Sequence, residues 1–314
     1  MNKDTKSPPK IAIIIPTLNE QDSIGLVINN LKKELQNFDH EIIVVDGKSS
    51  DNTVPIAKNL GVHVIYQKNK GYGEALFAGY FYASKELNCE ILVTIDADGT
   101  YSALDCVKII DKILSHDADY VIGRRLVNSE NMTLSHRIGN RSISWLIRKS
   151  LHINLRDSQS GIFGFRSYLI DNIDLRQTGW AVNTEMLTKA YDLGMLIDEI
   201  DVSYSTREGN TKINTVRAGL TNLQVILRMM RDSNPILFLG LFGLGLIGLG
   251  TLFGILVVAD YLETGIVNRP NLAVLSALLI MTGVQLFSLG LVADMMKKRQ
   301  QVRLKISHNL YRKA

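Results

Sequence analysis

The sequence predicts an α/β domain built on a parallel sheet with helices on both faces, followed by a pair of transmembrane helices. Two patterns carry the first half of that statement. Apolar, β-branched runs alternate with segments of helical periodicity from residue 11 to about residue 125. These runs end on Asp or on polar loops, which puts a ligand site at the carboxyl edge of the sheet. A third observation carries the second half: residues 234–259 and 270–293, runs of 26 and 24 residues, hold no charged side chain. Each exceeds the roughly 20 residues a helix needs to cross ~30 Å of hydrocarbon.

Taken in order, residues 1–10, MNKDTKSPPK, are polar with two prolines, lack the apolar stretch of a secretory signal and read as a short disordered lead. KIAIIIPTLNE is a strand stopped at Pro16, and SIGLVINNLKKEL places apolar residues at 24, 27, 28, 31 and 35, the spacing of a helix. HEIIVVD ends a second strand at Asp46, NTVPIAKNLG is a short helix, VHVIYQK a third strand and GYGEALFAGYFYASKE a helix. EILVTIDAD ends the next strand at Asp96, ALDCVKIIDKILSH is a helix, and DYVIGRR is again strand-like.

Beyond it, residues 131–152 mix Leu134, Ile138, Trp145 and Leu151 with Arg137, Arg141, Arg148 and Lys149. A helix at a membrane interface and a domain helix with a solvated basic face both fit that composition. Residues 213–233 hold Val216, Leu220, Leu223, Leu227 and Met230 at helical spacing and read as an interfacial helix, although core packing gives the same periodicity. The first uncharged run carries glycines at 240, 243, 245, 248, 250 and 254, which in lipid allow close approach of another helix. The second span is the expected partner, and a homo-oligomer through these helices is compatible with the same pattern.

The chain of 314 residues carries a formal +4, which by itself would raise nucleic acid or anionic membrane as partners. From Asp294 onward seven Lys/Arg face one Asp, a local +6, so the remainder carries −2. A slightly acidic body argues against a nucleic-acid binder, whose signature would be a basic one. Arg228 and Arg231 precede the first span and the basic tail 294–314 follows the second, so the positive-inside rule sets body and tail on the cytoplasmic side. Two cysteines, Cys89 and Cys106, form no cluster, and the length excludes a small module stapled by disulfides or zinc.

Candidate chemistry gathers at the strand ends. Asp96 and Asp98 form a DAD motif whose paired carboxylates suit a divalent cation bound to a diphosphate. Asp46 is placed to accept hydrogen bonds from a nucleotide base or ribose, while Ser49, Ser50 and Asp51 are read as caps of the following helix. Gly71 and Gly73 give a tight approach at a helix start, but no full dinucleotide fingerprint is present, which disfavours a hydride-transferring dehydrogenase. Arg124, Arg125, Arg137 and Arg141 form a cluster suited to phosphate, or to plain solvated surface charge.

These segments taken together, PTLNE, VVDGKSSDNT, NKGYGEAL, DADGT, GRR, RDSQSGIFGFR, GWAVNTEML and SYSTREGNTK, resemble in order the motifs of the family 2 inverting glycosyltransferases. The resemblance is strongest to the dolichyl- or polyprenyl-phosphate sugar synthases and covers residues 11 to about 215. It implies a GT-A catalytic domain over 11–212 that moves one sugar from a nucleotide donor, such as GDP-mannose, UDP-glucose or UDP-N-acetylglucosamine, to the phosphate of a long isoprenoid lipid. A glycosyltransferase acting on another membrane lipid or lipid-linked glycan is the alternative, and a scaffold without catalysis is disfavoured by the intact Asp96, Asp98 and Arg207.

By the same resemblance, Asp96 and Asp98 hold Mg2+ or Mn2+ and the donor diphosphate, with Thr100 nearby. Pro16, Asn19, Glu20 and Asp46 lie around the nucleotide, and Lys70 and Gly71 in the donor loop. Arg124, Ser135 and Arg137 receive the lipid phosphate, while Arg207 and Lys212 close over the donor phosphates. The chain departs from its relatives in two places. Gly47–Lys48 follow Asp46 where relatives often have a second acid, and Thr100 replaces a common glutamine, with a shorter reach to a cation.

Overall fold

Isoleucine, valine and one alanine, Ala12, fill positions 11–15 and 42–45, and strands apolar on both faces need cover on both. The computed structural model describes residues 8–125, 141, 144–145, 147–149, 151, 153–173, 179, 182–205 and 234–313, the last fourteen by backbone alone. The chain divides into two units near residue 222.

In the first unit, β1 (Ile11–Thr17), β2 (His40–Asp46), β3 (His63–Tyr66), β4 (Ile91–Thr94), β5 (Tyr120–Arg125), β6 (Phe163–Arg166) and β7 (Ile197–Val202) form one sheet in the order 3-2-1-4-6-5-7. Successive residues of each strand feed opposite layers. Ile11, Ile13 and Ile15 pack with α1 (Ile24–Glu34) and α4 (Ala103–Leu114). Ala12 and Ile14 pack with α3 (Tyr72–Phe81) and α6 (Val182–Asp192). α2 (Thr53–Asn59) and the single turn α5 (Tyr168–Asp171) lie in the same unit, a π-helical turn (Tyr82–Glu86) extends α3, and the described residues between 141 and 151 are helical. Gly79 lets α3 lie close on the sheet, since a Cβ there would stand 2.6 Å from Ile14 Cγ2.

The sheet is mixed, a correction to the all-parallel expectation. β6 runs antiparallel between β4 and β5. Its sequence, FGFR, hides the strand because glycine stands on one of its faces. Phe163 and Phe165 stack with Tyr120 at 5.8 and 5.7 Å, while on the other face a Cβ at Gly164 would meet Ile109 Cγ2 at 2.5 Å. β4 also ends at Thr94, two residues before Asp96. Ile95 still donates to Ile14 O, and the acidic motif therefore lies in a loop.

Around 141–151, Ile147 and Leu151 are buried in the core while Trp145, Arg148 and Lys149 are exposed. Apolar positions there pack inward, and a Trp flanked by cations faces outward. The interfacial segment 213–233 and residues 1–7 of the lead lie outside the described residues.

In the second unit, α7 (Pro235–Thr264) and α8 (Pro270–Lys313) are both long and apolar enough to span a membrane, with 11% of each apolar window buried. The glycines work as the sequence implies, in part. A Cβ at Gly243 would stand 2.6 Å from Gly283 O and one at Gly250 2.9 Å from Ser276 O, and Ser276 donates to Gly250 O at 2.7 Å. Gly245 and Gly248 have nothing within 4 Å of their Cβ positions. The first helix runs five residues past the uncharged segment, and α8 continues without a break into the basic tail.

At the amino edge of the sheet, Glu41 accepts from Lys10 at 2.8 Å and pairs with His63 at 3.0 Å. The Lys10 hydrogen bond holds its carboxyl below the usual 4.5. As pH falls, the unfolded chain takes up this proton first, so the contribution is fully present above 4.5 and is lost as pH drops through the lower folded value. Glu41→Gln is expected to lower Tm modestly near neutrality, where the pair contributes, and to converge with the wild type as pH falls below that value, measured by Tm against pH.

Candidate active site at the carboxyl edge of the sheet

The loops after β1 and β2 are sewn together side by side. Asn19, at φ 52°, donates its N–H to Ser49 Oγ at 2.8 Å and accepts the Ser50 N–H at 2.7 Å on its side chain. The Glu20 N–H reaches Thr53 Oγ1 at 2.8 Å, and Gln21 accepts from Asn52 N. Asp46 is buried, and its carboxylate accepts the N–H groups of Lys48 and Ser49 at 2.9 and 3.1 Å. Asp46 thus fixes the turn that follows β2. None of the three residues expected to cap α2 is its N-cap, which is Asn52; Asp51, one residue earlier, accepts from Thr53 N at 3.0 Å in a local turn. Ser49 and Ser50 are drawn instead to Asn19, because the neighbouring loop offers them closer partners.

Across β1, the 96–100 loop turns at Gly99, whose φ of 72° favours glycine. The turn lets Asp98 Oδ1 accept both the N–H and the hydroxyl of Thr100, at 3.1 and 2.7 Å. Thr100 is itself buried, so its hydroxyl addresses Asp98. Asp96 accepts from the Tyr72 hydroxyl at 3.3 Å, and its other oxygen lies against Gly161. Burial together with the Asp96 charge pushes the Tyr72 phenol well above its ordinary value, keeping it a neutral donor. Gly71, at φ 138°, caps the helix that carries Tyr72; Lys70 precedes it, exposed.

The two adjacent arginines ending β5 face different partners. Arg124 reaches Glu199 at 3.2 Å and Asp201 on the parallel neighbour β7. Arg125 makes a two-pronged pair with Asp157 at 2.6 and 2.8 Å, with both side chains about 12–13% exposed, and lies 5.6 Å over the Tyr204 ring. Tyr204 meets Tyr101 edge-on, 5.4 Å between centroids, and the Ser205 N–H donates to Thr100 O at 2.9 Å. The segment after β7 is therefore fastened to the acidic loop.

The structure brings Pro16, Asn19, Glu20, Asp46, Gly71, Asp96, Asp98 and Thr100 to one edge of the sheet, with Arg124 further along it on β5. Ser135, Arg137, Arg207 and Lys212 lie outside the described residues. Sequence reasoning attaches no role to Tyr72, Tyr101, Asp157, Gly161 or Tyr204. The signal for Asp157 and Gly161 was their presence in RDSQSG, a matched string in which no single residue stood out.

A sheet of this order, with an acidic loop beyond its central parallel strands and two long apolar helices after it, defines a glycosyltransferase domain of GT-A type joined to a candidate membrane hairpin. Residues 12–174 match the model for glycosyl transferase family 2, and the chain belongs to that family. It is 27% identical over 303 residues to the glycosyltransferase AglJ of Haloferax volcanii, covering 95% of this chain and 97% of that one. It is 35% identical over 176 residues to a UDP-N-acetylglucosamine–dolichyl-phosphate N-acetylglucosaminyltransferase of Methanococcus voltae, covering 49% of this chain and 68% of that protein. Among solved structures, glucosyl-3-phosphoglycerate synthase of Mycobacterium tuberculosis, in complex with Mn2+, UDP-glucose and phosphoglyceric acid, superimposes with a TM-score of 0.58 at 21% identity. That match covers 71% of this chain and 79% of that one, and shares the fold.

Removing one member of a buried ion pair strands the other charge. Asp157→Ala is expected to destabilise the domain by about 3 kcal/mol, read as a lowered midpoint of chemical unfolding in detergent, whereas Asp201→Ala at the more exposed Arg124 pair should change it by less than about 1 kcal/mol.

Proposed function

We propose that this chain transfers a monosaccharide from a nucleotide-sugar donor to dolichyl or polyprenyl phosphate, inverting the anomeric configuration, at the cytoplasmic face of a membrane. The observation that carries the reading is the conjunction, in one chain, of the Asp96–Asp98 loop at the carboxyl edge and two long apolar helices that bury little of their surface. The dolichyl-phosphate acceptor named for the Methanococcus voltae relative supports it.

Among the described residues no group of three or more His, Cys, Asp or Glu could hold a metal ion. Two carboxylates on one turn do fit a hard divalent cation that takes its remaining ligands from a diphosphate and water, as Mg2+ does and Zn2+ does not. The solved relative contains Mn2+ with UDP-glucose. Asp96 and Asp98 would hold Mg2+ or Mn2+, with Thr100 setting the carboxylate of Asp98, and the bound ion would supply charge neutralisation at the leaving diphosphate. Arg207 and Lys212 add positive charge to the same phosphates, and the loops around Pro16, Asn19, Glu20, Asp46, Lys70 and Gly71 shape the nucleotide pocket.

The nucleophile needs no protein base. A phosphate monoester with a second pKa near ~6 is mostly dianionic at neutral pH and attacks the anomeric carbon directly. Arg137, with Ser135 and Arg124, is assigned to hold that phosphate opposite the leaving group. Arg124 begins in ion pairs with Glu199 and Asp201, so a phosphate would share this guanidinium with β7. An isoprenoid chain gains about 0.8 kcal/mol per CH2 kept from water, so the acceptor stays in the bilayer and the catalyst is anchored beside it.

A second reading takes a soluble phosphorylated acid as acceptor, favoured by the phosphoglyceric acid in the solved relative. Incubating the detergent-solubilised chain with labelled GDP-mannose, UDP-glucose or UDP-N-acetylglucosamine, and with either polyprenyl phosphate or 3-phosphoglycerate, separates the two. Label extracted into organic solvent is the expected outcome, and label appearing only in the aqueous phosphoglycerate product would overturn it. Asp98→Ala is expected to abolish turnover with membrane insertion intact, measured on purified protein. Arg137→Ala should raise the acceptor KM or lower turnover several-fold while leaving nucleotide affinity unchanged by calorimetry.

A further inference from the structure

The turn that leads into β6 is held from two sides. Tyr101, the buried residue immediately after the DADGT motif, accepts at its hydroxyl the Gly161 N–H at 2.9 Å and the Ser160 Oγ–H at 3.3 Å. From α6, Asn183 Nδ2 donates to Ser160 O at 3.1 Å. The Ser160–Gly161 peptide is thereby tied to the acidic loop at one end and to a helix at the other, with Ser160 and Asn183 also buried. What this turn presents to the site is an absence of side chain: a Cβ on Gly161 would stand 2.0 Å from Asp96 Oδ2 and 2.7 Å from its Cγ. An overlap of that size cannot stand, so with a Cβ at this position the half-buried Asp96 carboxylate would have to move from where it now sits. On its opposite side Asp96 receives the Tyr72 hydroxyl at 3.3 Å.

The geometry points to Tyr101 and Gly161 as positioning residues for Asp96: the Tyr101 hydroxyl sets the Ser160–Gly161 peptide, and the bare face of Gly161 sets where the Asp96 carboxylate sits, and so the affinity of the Asp96–Asp98 loop for a divalent cation carrying a nucleoside diphosphate. This deepens the proposed function and rests on its reading of that loop as the cation and diphosphate site. The physical reason for such support is that a carboxylate pair is useful to a cation only when both members are held within a few tenths of an ångström of their working positions. Asp98 obtains that support from its own turn, through Thr100. Asp96 is flanked by a segment some sixty residues further along, the turn that enters β6 between β4 and β5.

The test uses the full chain in detergent, with Mn2+ titrated in the presence of UDP or GDP and the bound ion followed by electron paramagnetic resonance. Asp98→Asn serves as the control and should lose the bound-ion signal. Tyr101→Phe and Gly161→Ala are each expected to weaken Mn2+–nucleotide binding by tenfold or more in protein that remains folded. Wild-type affinity in either variant, with the signal lost in Asp98→Asn, would overturn the positioning role while leaving the cation site standing. Retention of the signal in Asp98→Asn would instead remove the premise.

A second measurement separates contact with Asp96 from a general need for glycine. Gly161→Ala should lower Tm in the wild-type background and leave it unchanged in an Asp96→Ala background, where the overlapping atoms are gone. An equal Tm change in both backgrounds would overturn the proposal, including the case in which Gly161→Ala alone is too unstable for the ion titration.

Discussion

Everything at the site depends on the parallel register between β1 and its two neighbours. Thr17 pairs with Asp46 on one side, and Ile14 pairs with Thr94 on the other. Because the backbone hydrogen bonds of a buried sheet cannot slip by one residue without turning every side chain to the wrong layer, these pairings are fixed by the isoleucine and valine faces. Two chain segments thus leave the sheet at the same level, and β4 leaves it three residues lower, opposite Ile14. The first two leave as loops stitched to each other, and the third as the acidic turn.

The loops beyond these strands are built from short-range polar geometry. Asp46 binds its own turn, Asp51 binds Thr53 two residues on and Asp98 is held by Thr100 in the same way. Local devices of this kind order the loops with little help from the core. Asp96 differs, because its surroundings come from α3, from the start of β6 and from the tyrosines around them.

This division explains what could be read in the sequence. β1 through β5 and α1 through α4 were legible because apolar periodicity and helix signals agree over each stretch, and their boundaries fall within a few residues of the expectation. β6 was not, since it is four residues long and its second face offers only Gly164 and Arg166, too little of a pattern to reveal the strand. At the site, Asp96, Asp98 and Asp46 were visible as acids at strand ends. The partners that decide their behaviour were invisible because they arrive by tertiary contact: Gly161 acts by lacking atoms, and Arg125 is distinguished from Arg124 only by facing Asp157 while its neighbour faces β7. Chain-wide charge was the least informative quantity, as its excess belongs to the last twenty-one residues.

One consequence of α8 concerns distance. A continuous helix of 44 residues, at 1.5 Å per residue, is about 66 Å long. A bilayer's hydrocarbon is only ~30 Å thick. If its apolar first half fills that layer, the second half is a stiff rod reaching some 30 Å into the aqueous phase. Arg312 and Lys313, near the end of such a rod, are carried away from the headgroups by the helix itself, to about three Debye lengths at physiological salt. The far end of the chain is then suited to meeting something in solution, while only the basic residues nearest the span, around Lys297 and Lys298, remain within reach of the lipid surface.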